Sequence, residues 1–277
     1  MSSGSTDHID LGIDIQIDVL LAGRVVPFGP KGVPSGIAKA PVDGPVRVTT
    51  IGLDIDEQGD PKHHGGPEKA LHHYPRDHYA GWRDALTEHG GNPGVLDHAG
   101  AFGENLSTTG LTEADICIGD RFRLGTALVE VSQARQPCWK LNHRFGFAGM
   151  SRAVQGSGRT GWYYRVIEEG EVAAGDHMVL VARPYPDWSL QRLLHVLYVD
   201  RLNLDALAEM AELPVLAESW RKLAASAWRT MSSRIWKGAW PEAEAQRVLP
   251  RRYSWRNRHA VASRVIRSQI TCFSSSL

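Results

Sequence analysis

A change of rhythm at Pro184-Tyr185-Pro186 sets what this chain can fold into. Before it, from about Ile17 to Leu180, apolar residues come in short runs bounded by Gly, Pro and Asp. Val46-Arg47-Val48 and Leu128-Val129-Glu130-Val131 alternate or nearly alternate. Side chains on a strand point to opposite faces in turn, so this is the pattern of half-buried strands. Asp120–Leu124, Trp162–Ile167 and Val172–Leu180 extend it, each close to a Gly-containing turn. Many short strands at this spacing predict a mainly β fold built on an antiparallel barrel or sandwich core. One helix is expected to interrupt it, over Arg76–Thr87. There Tyr79, Trp82 and Leu86 recur at intervals of three and four, Pro75 sits just ahead and Gly90-Gly91 follows.

After Pro186 the period becomes helical. Leu190, Leu193, Leu194 and Leu197 share one face, Asn203 or Asp205 can cap a second helix, and Pro214 opens a third with Leu216, Trp220 and Leu223. The expected division is a β-barrel domain over 17–186, a small three-helix domain over 187–228, and a basic extension over 229–277. Charge separates the last segment. The chain holds 31 Lys and Arg against 31 Asp and Glu. From Arg229 to Leu277, however, ten basic residues meet only Glu242 and Glu244. A frayed extension explains this segment better than a nucleic-acid-binding tail, and no nucleic-acid partner is expected.

The three cysteines, Cys117, Cys138 and Cys272, are too few and too far apart for a disulfide scaffold, and a reducing, cytoplasmic setting is expected. No apolar run reaches the roughly 20 residues that span a bilayer. The N-terminal stretch carries Asp7, Asp10, Asp14 and Asp18 rather than a basic region, so it does not read as a secretory signal. His63, His64, His72, His73 and His78 cluster without a zinc-binding spacing, and no zinc is expected. No phosphate-binding loop, dinucleotide fingerprint or nucleophile elbow is present.

Four segments carry polar chemistry. His64-Gly65-Gly66-Pro67-Glu68-Lys69 pairs glycines that permit close backbone approach, or simply a tight turn, with His64 and Lys69 able to face an anion. Gly103-Glu104-Asn105 sets a carboxylate beside an amide, fit either for a ligand or for satisfying buried backbone groups. Cys138 follows Pro137 in what reads as a loop, between Arg135 and Lys140. Positive neighbours favour thiolate, so it is a candidate nucleophile or soft-metal ligand, against the alternative of a buried structural thiol. Arg159, between Gly158 and Gly161, is a candidate anion clamp, while ordinary strand packing explains the aromatics after it.

Taken in order, these segments resemble the MOSC domain family, named for the C-terminal domain of molybdenum cofactor sulfurases, and most closely its YiiM-like branch. The resemblance runs from about Gly23 to Trp220. It rests on Gly32-Val33-Pro34-Ser35-Gly36-Ile37, His64-Gly65-Gly66-Pro67, Tyr74-Pro75, Phe102-Gly103-Glu104-Asn105-Leu106, Gly119-Asp120, Gln136-Pro137-Cys138-Trp139-Lys140-Leu141 and Gly161-Trp162-Tyr163. The helices from Leu190 to Trp220 resemble the three-helix domain of that branch. Ile55 departs from the pattern, standing where a glycine is expected between acidic residues.

The resemblance implies a MOSC-type β-barrel that binds a molybdenum–pterin cofactor. Cys138 is then the molybdenum ligand, and His64, Gly65, Gly66, Lys69, Arg135, Lys140 and Arg159 hold the cofactor. Glu104 and Asn105 serve the pterin or a proton relay. The implied activity is reduction of N-hydroxylated compounds such as 6-hydroxylaminopurine, with a separate flavin-containing reductase as electron donor. Two rival readings stand beside it: a sulfur carrier with a persulfide on Cys138, and a module that holds the cofactor without turnover. A strand edge or the helical appendage offers a surface for a homodimer.

Overall fold

The structure, a computed structural model, describes residues 12–60 and 65–239, the last six by their backbone alone. The chain divides into two compact units between Arg192 and Leu193.

The first unit is built on a nine-stranded sheet. Its strands lie in the order Asp14–Gln16, His177–Ala182, Arg121–Leu124, Ala127–Ala134, Trp162–Glu168, Leu71–Pro75, Leu106–Thr108, Val19–Ala22, Ala40–Pro41. The sheet curls into a half-barrel rather than closing into a full one. All neighbours run antiparallel except one pair. Leu71–Pro75 and Leu106–Thr108 are parallel, with His73 opposite Leu106. A parallel pair needs a crossover connection, and residues 76–105 supply it. They carry a short 3-10 turn, Arg76–His78, and then helix α1, Tyr79–Glu88.

The apolar stripe expected of α1 is the face it buries: Tyr79, Trp82 and Leu86. They pack with Tyr74, Phe102, Phe145, Met150 and Val154 in one core cluster. Tyr74 and Phe102 stack at 3.8 Å between centroids. Each large apolar side chain buried here contributes about 1.5–3 kcal/mol.

Phe145, Met150 and Val154 correct the expectation of a single helix. Two more follow Cys138: α2, Trp139–Arg144, and α3, Met150–Ser157. The flanking Pro137, Gly146 and Gly149 make this stretch read as loop. Its helices are too short for a periodic signal, and their burial of Leu141, Phe145, Met150 and Val154 against the α1 core holds them in place. Ile55 sits in a turn, 41% exposed, and no non-glycine among the described residues has a positive φ. The turn therefore forms without the expected glycine.

Helix α4, Leu190–Tyr198, crosses the boundary between the units. In the second unit α5, Leu204–Glu212, begins as expected: the Asn203 side chain caps it by accepting from the Ala206 N–H at 3.1 Å. It packs on α6, Glu218–Ala239. That helix runs past Trp228, where the three-helix domain was expected to end. No Pro intervenes until Pro241, and Met231 and Ser232 are still buried. The rest of the basic extension, with Cys272, lies outside the described residues.

Candidate functional site

One cleft in the first unit gathers most of the polar segments. It encloses about 600 Å³, counted out to open solvent. Lys69 enters it from the end of a 3-10 turn, Pro67–Lys69, and His72 from the strand that follows. Asn105 stands just ahead of Leu106–Thr108, and Tyr163 on Trp162–Glu168. Arg135 lies one residue past Ala127–Ala134. Cys138 directly precedes α2, and Lys140 is in its first turn.

Strand alternation does much of the positioning. His72 and Tyr163 are paired across neighbouring strands, their rings 4.9 Å apart, and both line the cleft. Their neighbours His73 and Trp162 pair on the opposite face. There His73 bonds to the Tyr164 hydroxyl at 3.0 Å and to the Thr108 hydroxyl at 2.8 Å. Burial holds His73 down at about 3, so it is a neutral structural group. Gly161 ends this arrangement. Its φ is +69° and a Cβ there would meet the His73 carbonyl at 2.4 Å, so only glycine fits. Its carbonyl accepts from the Arg135 N–H at 3.0 Å, which fixes the approach to Cys138.

The cleft is electropositive where it is not neutralised. Lys39 and Asp56 both line it and form a buried ion pair, each side chain 7% exposed. Burial lowers the lysine's pKa against the opposing pull of Asp56. Asp56 also accepts from the Gly23 N–H at 2.8 Å and from Asn105 Nδ2 at 2.9 Å. Glu57 is turned to Arg24 and the Val25 N–H. Lys69, Arg135 and Lys140 line the same space. Burial lowers the Lys69 pKa, opposed by Asp60. Lys140 is buried, its Nζ 3.5 Å from the Pro34 carbonyl. Arg135 is 6% exposed, and among the described residues its Nη1 has no hydrogen-bond partner. The same holds for His72 Nε2, on a ring 4% exposed. Such groups are rare in a folded interior.

The structure thus brings together Cys138, Arg135, Lys140, Lys69 and Asn105. Gly65 and Gly66 adjoin the cleft through Gln58. The Gly66 N–H donates to Gln58 Oε1 at 2.9 Å, and a Cβ on Gly65 would meet that oxygen at 2.0 Å. His64 lies outside the described residues. Two expectations are corrected. Glu104 is fully buried and does not line the cleft. Its carboxylate accepts from the N–H groups of Gly100 and Phe102 at 2.7 and 2.9 Å and from the Tyr79 hydroxyl at 2.6 Å, which ties the crossover loop to α1. Arg159 is exposed and stands 5.9 Å over the Trp82 ring, away from the cleft, because the turn at Gly158 ends α3 on the α1 side. Cys117 is buried, its thiol pushed up to about 11 by burial, as its place between Ile116 and Ile118 implies. Lys39, Asp56, His72 and Tyr163 were not singled out as site residues. For His72 and Tyr163 the available signal was a polar or amphipathic side chain at an inward position of a strand; Lys39 and Asp56 lie in loops and carried none. Among the described residues no three or more of His, Cys, Asp and Glu gather as a metal cluster.

Comparison with known proteins agrees with this layout. The MOSC domain model matches residues 60–179, and the model of the YiiM-like 3-alpha helix domain matches 188–226. Protein YiiM of Escherichia coli (strain K12) is 42% identical over 193 residues, covering 70% of this chain and 84% of that protein. The chain belongs to the MOSC domain family, in its YiiM-like branch. The crystal structure of YiiM from Geobacillus stearothermophilus matches this MOSC protein with a TM-score of 0.65 at 34% identity. It covers 77% of this chain and 99% of that one. A protein named reductase from Gibberella moniliformis (strain M3125 / FGSC 7600) is 38% identical over 216 residues, spanning 76% of this chain but only 38% of its own length. MOSC proteins are in general molybdenum-cofactor-binding. Among the described residues no helix is long and apolar enough to cross a membrane.

Proposed function

We propose that this MOSC protein is a cytoplasmic, molybdenum-cofactor-dependent reductase of N-hydroxylated compounds such as 6-hydroxylaminopurine, with Cys138 as the metal's protein ligand. One observation carries the reading. A half-buried thiol stands in a cleft that is also lined by Lys69, Arg135 and Lys140. That donor set suits the group. Sulfur is a soft donor for molybdenum, and fixed cations suit the phosphate of a pterin.

When bound, the cofactor supplies two electrons to the N–OH group, which with two protons yields an amine and water. The protein's part is binding and orientation. Lys69 and Lys140 hold anionic oxygens. The short α2 fixes the direction of Cys138, and burial of Leu141 and Phe145 fixes α2. The Lys39–Asp56 pair anchors Asn105 beneath the cleft without adding net charge. Electrons arrive from a separate flavin-containing reductase.

The test is molybdenum and pterin analysis of protein made in a cofactor-competent host, beside Cys138→Ala, followed by turnover of 6-hydroxylaminopurine with an electron donor. Metal and pterin near one per chain, lost or sharply lowered in the variant, with wild-type reduction, support the reading. A wild-type protein free of both refutes it. A labile sulfane sulfur on Cys138 without an essential metal would mark a sulfur carrier, and bound pterin without reduction a non-catalytic module.

A further inference from the structure

Helix α2 follows directly on Cys138 and carries Lys140 in its first turn, yet it has only six residues. A helix that short does not hold itself. Leu141 and Phe145 bury its apolar face, with the Phe145 ring 4.9 Å from that of Phe102. Apolar contact has no direction, so it tolerates sliding and rotation. Two directional contacts come from the last residue of the helix. Arg144 Nε donates to the Ala101 carbonyl at 2.7 Å, and its Nη2 donates to the Gly100 carbonyl at 3.0 Å.

The turn that receives them is itself fixed. The Gly103 N–H closes it on the Gly100 carbonyl at 3.1 Å. Glu104 accepts from the N–H groups of Gly100 and Phe102. Two charged side chains therefore hold one turn, Arg144 by its carbonyls and Glu104 by its N–H groups. Glycine is required at both ends. Gly100 and Gly103 have φ of +92° and +77°, and a Cβ would meet Leu21 at 2.9 Å in the first case and Ile37 at 2.9 Å in the second. Phe102 and Gly103 line the cleft together with Asn105, Cys138 and Lys140.

We propose that Arg144 is a positioning residue: it locks α2 to the Gly100–Phe102 turn and so sets Cys138 and Lys140 in register with Phe102, Gly103 and Asn105. The fork matters as well as the charge. A guanidinium reaches two successive carbonyls in a fixed geometry, whereas an ammonium is a single point. The inference rests on the reading of the cleft given above, because the group that feels this register is the bound cofactor.

The test compares full-length wild type, Arg144→Met and Arg144→Lys. Met keeps an unbranched stem without donors. Amide hydrogen exchange is read by mass spectrometry on cofactor-free protein, for residues 138–147 and for the strand Ala127–Ala134. Bound pterin per chain is read by fluorescence after oxidative release, on protein from a cofactor-competent host. In Arg144→Met, residues 138–147 should exchange about tenfold faster while the strand stays within about twofold, the size expected when a charged hydrogen bond is lost from a local opening. Pterin content should fall severalfold, and Arg144→Lys should recover only part of both. Unchanged exchange over 138–147 overturns the assignment, and so does faster exchange with unchanged pterin. Equal acceleration in both segments also overturns it, by showing a contribution to overall stability alone. Wild-type behaviour in Arg144→Lys overturns the role of the fork. If the wild-type protein binds no pterin, the reductase reading fails, and the exchange comparison still decides whether Arg144 holds α2. Should Arg144→Met fail to fold, Arg144→Lys takes its place under the same criteria.

Discussion

Replacing Lys39 with Met should unfold the cleft's support at a measurable cost. The lysine stem and methionine have similar bulk, so little packing is lost. What is lost is the partner of a carboxylate whose side chain is 7% exposed. Asp56 keeps the Gly23 N–H and the Asn105 amide, but these carry no full charge. Breaking a buried pair by removing one member costs about 3–5 kcal/mol, whereas an exposed pair is worth about 0–1 kcal/mol. For a unit of this size about 1 kcal/mol moves Tm by about 2–4 °C, so a fall of about 6–20 °C is expected. Lys39→Met with Asp56→Asn removes both charges and should recover part of that loss. Calorimetry is the suitable assay, because two compact units can give two transitions and only the one containing Lys39 should shift. A fall under about 2 °C, or a double variant as unstable as the two single losses added together, would refute the argument that this pair is desolvated and coupled.

Three further outcomes follow from the same geometry. Glu104→Ala leaves the Gly100 and Phe102 N–H groups and the Tyr79 hydroxyl without their acceptor, and should cost about 3 kcal/mol or more in urea unfolding. A folded variant of wild-type stability with lost turnover would instead restore Glu104 as a reacting group. Lys140→Ala should lower pterin content severalfold, while Arg159→Ala, out on the Trp82 ring, should leave it within twofold. The reverse order would show the cleft misassigned. Acid should destabilise the protein through its buried imidazoles. His73 is held at about 3 and His72 well below 6.5, so from pH 6.5 downward the unfolded chain takes up protons that the folded chain refuses. Stability is therefore full above about pH 6.5 and falls below it, by up to about 1.4 kcal/mol per pH unit for each ring. Comparing urea midpoints of wild type and His73→Gln from pH 7 to 4.5 should show the slope reduced by about one proton. Parallel curves would contradict this.

The strands were legible because alternation is local. Leu128-Val129-Glu130-Val131 announces a strand without any knowledge of its partners, and the structure extends it to Ala127–Ala134. The α1 face was equally plain in Tyr79, Trp82 and Leu86. What escaped were features made by tertiary contact. Helix α2 has six residues, less than two turns, and its sequence is dominated by the Pro and Gly at its flanks. Lys39 and Asp56 are 17 positions apart and meet only when the loops around the cleft close. Arg159 misled for the opposite reason. Glycine neighbours suggest an anion clamp, but Gly158 serves as the left-handed C-cap of α3, and the arginine spreads over an indole instead. Glu104 followed the same logic: a carboxylate beside Gly103 satisfies backbone donors in its own turn.

The parallel pairing of Leu71–Pro75 with Leu106–Thr108 also bears on how the protein is made. The antiparallel hairpins can form as soon as both their strands have left the ribosome. The His72 backbone, in contrast, waits for residue 105: its N–H donates to the Asn105 side chain at 3.1 Å, and its carbonyl accepts from the Asn105 N–H at 2.7 Å. Closing that crossover carries a loop entropy that local contacts do not repay. Arg135, Cys138 and Tyr163 emerge later still. No nascent fragment short of Tyr163 therefore holds the complete cleft. Any ligand that needs both its floor and its thiol can be held only once the chain has been made past Tyr163, more than half of its length.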